Sequence, residues 1–204
     1  MNSNRELCPR CDFIEARCLC KTLLTINNRT ELIILQHPSE TKHALNTVRI
    51  MKASFSNIKI FVGENFDNHL EFQNILAQKK CGLIFPTEKK VILNNENSNQ
   101  LEKILLIDGS WNKAKKIYLS TTTLHSIPTF ELELTEKSQY RIRASSLETS
   151  LSTLEATTQV LKILEPSLDT GSLELAFGQM IDFQIEKMGP EIFKKNYKNK
   201  KGDE

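Results

Sequence analysis

Apolar positions along the chain fall into short runs separated by stretches of helical spacing. The uninterrupted apolar core of "ELIILQ" (31–36) predicts a strand buried on both faces. It ends at "HPSE", where Pro38 stops the strand and Ser39, Glu40 and Thr41 suit the start of a helix. "KIFVGE" (59–64), "CGLIFPTEK" (81–89, broken at Pro86), "EKILLID" (102–108) and "TFELEL" (129–134) predict four more strands. Helical spacing marks "HLEFQNILAQKK" (69–80), "NKAKKIYLS" (112–120), "LSTLEATTQVLKIL" (151–164) and "LELAFGQMIDFQIEKM" (173–188). In 151–164 Ser152 is a cap, Glu155 completes a capping box, and apolar residues recur at 154, 160, 161 and 164. Gly189-Pro190 stops the last helix, and the Asn-rich "LNNENSNQ" (93–100) reads as a surface loop. Strands alternating with helices predict a three-layer α/β domain with a mostly parallel sheet.

With 204 residues, 39% of them hydrophobic and 25% charged, the chain can bury a core without disulfides. The expected organisation is a cysteine-bearing segment over 1–24, a catalytic domain over 25–190 and a lysine-rich tail over 191–204. A formal net charge of only +2 makes no global demand for a nucleic-acid partner, so any basic surface is local. The stretch "FKKNYKNKKG" (193–202) is one such place, either a solvated tail or a phosphate contact. No apolar run approaches the roughly 20 residues of a membrane span. Nor does "MNSNRELCPRC" carry an apolar signal-peptide core. A cytoplasmic protein with reduced thiols is expected.

Four of the five cysteines, Cys8, Cys11, Cys18 and Cys20, lie in "CPRCDFIEARCLC". Two cysteines separated by two residues form a knuckle that aims both sulfurs at one ion, and a second pair close behind completes a tetrahedral thiolate set. Zinc is the default metal, and an iron–sulfur cluster is the other option. Four protein ligands leave no open position, so such a site is structural. The alternative is four unrelated free thiols. Arg10 and Arg17, inside this loop, are either phosphate contacts or solvated side chains.

The stretch "LLIDGSWNKAKK" (105–116) holds the only tryptophan. A strand ending there puts Asp108 at a C-terminal sheet edge, where open α/β sheets bind ligands. Gly109 permits a close approach, Ser110 can cap the next helix, and Trp111 offers a flat face to a base or an adenine ring. Lys113, Lys115 and Lys116 then stand on a helix able to meet a phosphate backbone. An acid cap, a glycine turn and a core-packed tryptophan explain the same residues.

Several pieces, in order, resemble the DTW-domain family of tRNA-uridine aminocarboxypropyltransferases. They are "CPRC" with "CLC", "HPSE" with "NTVRI", "FPTE", "LLIDGSWNKAKK", "YRIR" and "LSTLEA", spanning Cys8 to about Leu164. The family motif is Asp-x-Thr-Trp; Ser110 here keeps the hydroxyl and loses a methyl. The resemblance implies a SPOUT-like, knotted α/β fold. It also implies transfer of the 3-amino-3-carboxypropyl group of S-adenosylmethionine to N3 of a tRNA uridine, with release of 5′-methylthioadenosine. On that basis Asp108 is the candidate general base, with Ser110 and Trp111 as its catalytic neighbours. Pro86, Gly109, Trp111, Arg141, Arg143, Thr153 and Glu155 are candidate contacts to the donor, Asp108 itself among them, and His37 and Glu40 lie near the site. The arginines of "YRIR" share a face if that stretch is a strand, and "LSTLEA" begins a helix whose amides can hold an anion. His43, His69 and His125 show no partner pattern. Two other functions remain in play, a SPOUT-like RNA methyltransferase and a non-catalytic zinc-containing RNA-binding module.

Overall fold

The computed structural model describes residues 6–78, 80–89, 91–133 and 151–193. Five parallel strands form one sheet: β1 (Glu31–Gln36), β2 (Ile58–Val62), β3 (Cys81–Ile84), β4 (Lys103–Asp108) and β5 (Thr129–Phe130), in the order β2-β1-β4-β3-β5. Because side chains alternate along a strand, the sheet feeds two cores. Leu32 and Ile34 of β1, with Ile104 and Leu106 of β4, pack on one face with α1 (Val48–Ser54), α5 (Thr153–Leu164) and α6 (Gly171–Met188). Ile33, Leu35 and Leu105 pack on the other with α2 (Leu70–Ala77) and α4 (Trp111–Ser120). The expected three layers and the parallel sheet are both present. Two short helices complete the set, α3 (Asn95–Ser98) and α7 (Pro190–Phe193).

Local structure departs from the sequence expectation at five places. After β1 there is only a single 3-10 turn, Pro38–Glu40, and the helix waits until Val48. That seven-residue helix buries Val48, Ile50, Met51 and Ser54, a pattern too short to stand out as a period. The Asn-rich stretch is not all loop: Asn94 and Asn97 close a capping box around the one-turn α3. The last long helix begins at Gly171, two residues before 173, and Pro190 opens α7 directly after Gly189 turns the chain at φ 86°. The last predicted strand pairs only at Thr129 and Phe130, with an isolated bridge from Glu131 to Ile92. Residues 134–150 lie outside the described residues, as does 194–204 in the lysine-rich tail. No helix among the described residues is long and apolar enough to cross a membrane.

The cysteine segment is not a separate appendage in packing. Cys8, Cys11, Phe13, Leu19 and Leu23 belong to the same apolar cluster as Leu32, Met51 and Phe177.

At the C-terminal edge of the sheet, Asp67 ties the segment after β2 to the 3-10 turn that follows α4. The amides and hydroxyls of Thr122 and Thr123 donate to its carboxylate at 2.9–3.0 Å. The Thr123 amide foremost, then the Thr122 amide and both hydroxyls, hold the Asp67 carboxyl down to about 2. A depressed carboxyl contributes stability above its unfolded value, and that stability is lost as pH falls through the folded value. Asp67→Asn is therefore expected to lower the melting temperature at pH 7. The gap to the unsubstituted chain should close between about pH 4 and pH 2, as measured by thermal unfolding across that range.

Candidate active site at the end of β1 and β4

Gln36 and Asp108 are register partners at the last rungs of β1 and β4. The chain leaves these two strands in opposite directions, from β1 to β2 on one side and from β4 through α4 to β5 on the other. The β1–β4 junction is thus the topological switch point, where open parallel sheets form a crevice. Partnered residues on adjacent strands point the same way, and here both point to the face carrying α1 and α5. Gln36 Nε2 donates to Asp108 Oδ2 at 2.8 Å, and the Thr153 hydroxyl donates to Oδ1 at 2.5 Å. Thr153 opens α5 behind the predicted capping box, in which Ser152 Oγ accepts from the Glu155 amide and Glu155 Oε2 accepts from the Ser152 amide. Thr153 and Glu155 thus make these intramolecular bonds at the site.

The turn after β4 is tight for a steric reason. A Cβ on Gly109 would sit 3.0 Å from Lys113 Cβ, a tight contact, and 3.6 Å from His37 Cβ, so glycine eases the close meeting of "HPSE" and the first turn of α4. Ser110 occupies the N-cap position of α4, but its side chain makes no capping hydrogen bond. The "HPSE" side chains lock the turn from the other side. His37 Nε2 lies 2.7 Å from Glu64 Oε1, Lys113 Nζ donates to Glu40 at 2.7 Å, and Lys116 Nζ donates to Glu64 at 2.6 Å. Lys116 above all, then His37, holds the Glu64 carboxyl below its usual range. Of the three lysines read as RNA contacts, Lys113 and Lys116 are ion-paired here, while Lys115 lines a cleft.

That cleft, about 1120 Å³, opens beside the turn and is lined by Phe85, Pro86, Trp111, Lys115, Tyr118 and Thr129 among others. Trp111 is not a core residue; it is 54% exposed. Its inner face stacks on Phe85 (5.4 Å between centroids, 12° between planes), and Phe85 in turn stacks on Tyr118 (4.5 Å, 21°). Trp111, Lys115 and Tyr118 share a helix face at i, i+4 and i+7, a spacing visible in the sequence that had not marked Phe85 or Tyr118 as wall residues. Gln36 and its buried neighbour Asn46 were likewise missed; the only signal was one polar residue ending an apolar run. Arg141 and Arg143 lie outside the described residues.

The four predicted metal ligands converge. Their sulfurs all lie within 4.8 Å of one another, with Cys8–Cys20 at 3.5 Å and Cys11–Cys18 at 3.8 Å. The knuckle turns through Asp12 in the left-handed region (φ 56°), closed by Cys8 N–H donating to Phe13 O at 2.7 Å. Amides of Cys11 and Arg10 lower the Cys8 thiol to about 6, whereas burial raises Cys11 and Cys20. Four crowded sulfurs cannot all be thiolates without a cation among them, so this donor set fits one metal ion. Arg10 and Arg17 turn inward rather than toward a phosphate. Arg10 donates to the carbonyls of Leu23 and Ala53 at 3.1 and 3.2 Å, and Arg17 donates to that of Phe183 at 2.8 Å while lying over the Phe183 ring.

The family model of the DTW domain matches residues 5–185. The chain belongs to the DTW-domain family. It is 32% identical over 171 residues to a Drosophila melanogaster protein named tRNA-uridine aminocarboxypropyltransferase 2, covering 80% of this chain and 68% of that one. A Macaca fascicularis protein of the same name is 29% identical over 170 residues, covering 79% of this chain and 57% of its own. A shorter match, 43% over 56 residues, is to the Arabidopsis thaliana tRNA-uridine aminocarboxypropyltransferase A, covering 26% of this DTW protein and 21% of the plant one. No solved structure matches the chain.

Because the cysteine set is continuous with the main core, metal removal should loosen the whole domain. The purified protein is expected to hold one ion per chain by elemental analysis. Cys11→Ser is expected to lose it and to lower the melting temperature by on the order of 10 °C; an unchanged melting curve would show that the sulfurs are bystanders.

Proposed function

We propose that this DTW protein is a tRNA-uridine aminocarboxypropyltransferase, using S-adenosylmethionine to place a 3-amino-3-carboxypropyl group on N3 of a uridine in tRNA. The observation that carries the reading is the Asp108-Gly109-Ser110-Trp111 turn at the sheet's switch point, beside a large aromatic-walled cleft, in a chain whose relatives bear that name.

Uridine N3 carries an imide proton and is a poor nucleophile until that proton leaves. Asp108 is the group placed to take it, as a carboxylate held at a strand end. The bound donor supplies an electrophilic methylene: its bond to sulfur breaks, the electron pair stays on sulfur in 5′-methylthioadenosine, and the carbon bonds to N3. Regiochemistry is then a matter of aim, since the methyl on the same sulfur is the competing target. The exposed face of Trp111, with Phe85 fixing its other side, is a rigid wall against which a base or the donor can lie flat. Pro86 borders the same cleft, and Arg141 and Arg143 are assigned to the donor's carboxylate or to RNA phosphates. Lys115, which lines the cleft, is a candidate cation for an RNA backbone; Lys113 and Lys116 would reach phosphate only by exchanging their glutamate partners.

The metal is assigned as zinc. Sulfurs about 2.3 Å from a tetrahedral ion stand about 3.8 Å apart, close to the 3.5 and 3.8 Å separations here. A cluster would spread its thiolates over several irons. Such a site supplies folding energy and no chemistry, and its four reduced thiols suit the cytoplasm.

The test is to incubate the full chain with S-adenosylmethionine and unmodified tRNA transcripts and to identify both products by mass spectrometry. Aminocarboxypropyl-uridine with 5′-methylthioadenosine is expected. Methylated nucleoside with S-adenosylhomocysteine would make it an RNA methyltransferase instead, and bound RNA with neither product would make it a binding module.

A further inference from the structure

Gln36 ends an otherwise apolar strand, and only 3% of it is exposed. A buried amide has to place both its N–H groups. Here one goes to Asp108 Oδ2 at 2.8 Å and the other to Asn46 Oδ1 at 3.2 Å. The orientation is over-determined. The Val48 backbone N–H, which can only donate, meets Asn46 Oδ1 at 3.0 Å, so that atom is the oxygen and the Gln36 atom facing it is the nitrogen. Asn46, itself buried, is anchored through Nδ2 to the Thr41 carbonyl at 3.1 Å. On the far side of the carboxylate the Thr153 hydroxyl donates to Oδ1, from the first helical residue after the Ser152–Glu155 capping box.

A carboxylate group turns easily about its terminal torsion, whose wells are broad. One donor on each oxygen removes that freedom and sets the direction from which a proton can arrive. We propose that Gln36 and Thr153 are positioning residues, a two-donor clamp braced by Asn46 that sets the plane of the Asp108 carboxylate for proton removal from the nucleobase. The proposal rests on the transferase reading above. Neither residue needs to touch donor or RNA, so their loss acts on the chemical step. A base displaced by about 1 Å costs roughly 100-fold.

The experiment uses the full chain, S-adenosylmethionine and an unmodified tRNA transcript under single-turnover conditions, with donor affinity measured by calorimetry. Gln36→Met keeps the volume and removes both donors; Thr153→Val removes the hydroxyl and Thr153→Ser restores it. Gln36→Met and Thr153→Val are expected to slow transfer about 10- to 100-fold with donor affinity within about threefold, and Thr153→Ser to recover most of the rate. Carbon-13 NMR of the Asp108 carboxyl supplies a readout independent of turnover. Its titration midpoint should rise in Gln36→Met and in Thr153→Val, because each loses a donor to the ionised form. Transfer within twofold of the unsubstituted chain in both variants, or Thr153→Ser as slow as Thr153→Val, overturns the positioning role, and so does an unmoved midpoint. If the unsubstituted chain makes no aminocarboxypropyl-uridine, the transferase reading and the catalytic half of this proposal fail together. The clamp then stands or falls on the carboxyl titration.

Discussion

Everything about the site depends on the lateral pairing of β1 with β4, in register to their last residues. That pairing sets Gln36 beside Asp108 and sends the following segments away from each other, toward α1 on one face and into α4 on the other. A divergence of this kind is where open parallel sheets form a crevice, by topology and without a special loop. The junction is held by backbone as well as side chains, since the His37 amide donates to the Asp108 carbonyl at 2.9 Å. Loops carry most binding chemistry in folded proteins, but Asp108 stands on a strand terminus, a more rigid place for a side chain.

The two faces of the turn do different work. Toward α1 and α5 Asp108 accepts from two neutral donors, Gln36 and Thr153. Toward α4 the turn meets ionisable side chains, with Glu40, Glu64, His37, Lys113 and Lys116 interlocked around Gly109. These partly exposed pairs contribute little to stability one by one. Their effect is geometric: they fasten "HPSE" to α4 and so fix where Trp111 stands. The cysteine cluster acts at longer range, through a core it shares with α1 and α6. Arg10 and Arg17 bond carbonyls of Leu23 and Phe183, so the knuckle is fastened to the rest of the fold.

Much of this was legible in the sequence because it is local. The apolar run of 31–36, the capping box at Ser152 and Glu155, and the x2 cysteine spacing each encode a structure within a few residues. The Asp-Gly-Ser-Trp turn between β4 and α4 was legible for the same reason, although the Ser110 side chain makes no cap and Gly109 is packed by Lys113 and His37 rather than by a ligand. What escaped depends on partners far along the chain. Gln36 looks like the polar end of a strand until Asp108, 72 residues away, is placed beside it. Phe85 reads as strand filling until β3 is seen to end against α4. Helix α1 has no signature because its seven residues form only by packing on the sheet. The lysines of α4 read as outward-facing cations, and local sequence does not reveal that two of them meet Glu40 and Glu64, which lie far along the chain.

The most direct measurement is single-turnover transfer by Asp108→Asn, an isosteric exchange that leaves the turn, the cleft and Trp111 in place. The account expects donor affinity within about threefold of the unsubstituted chain and transfer slowed at least about 100-fold. Transfer surviving within tenfold would place the proton acceptor elsewhere and would contradict the central role given to the β1–β4 switch point.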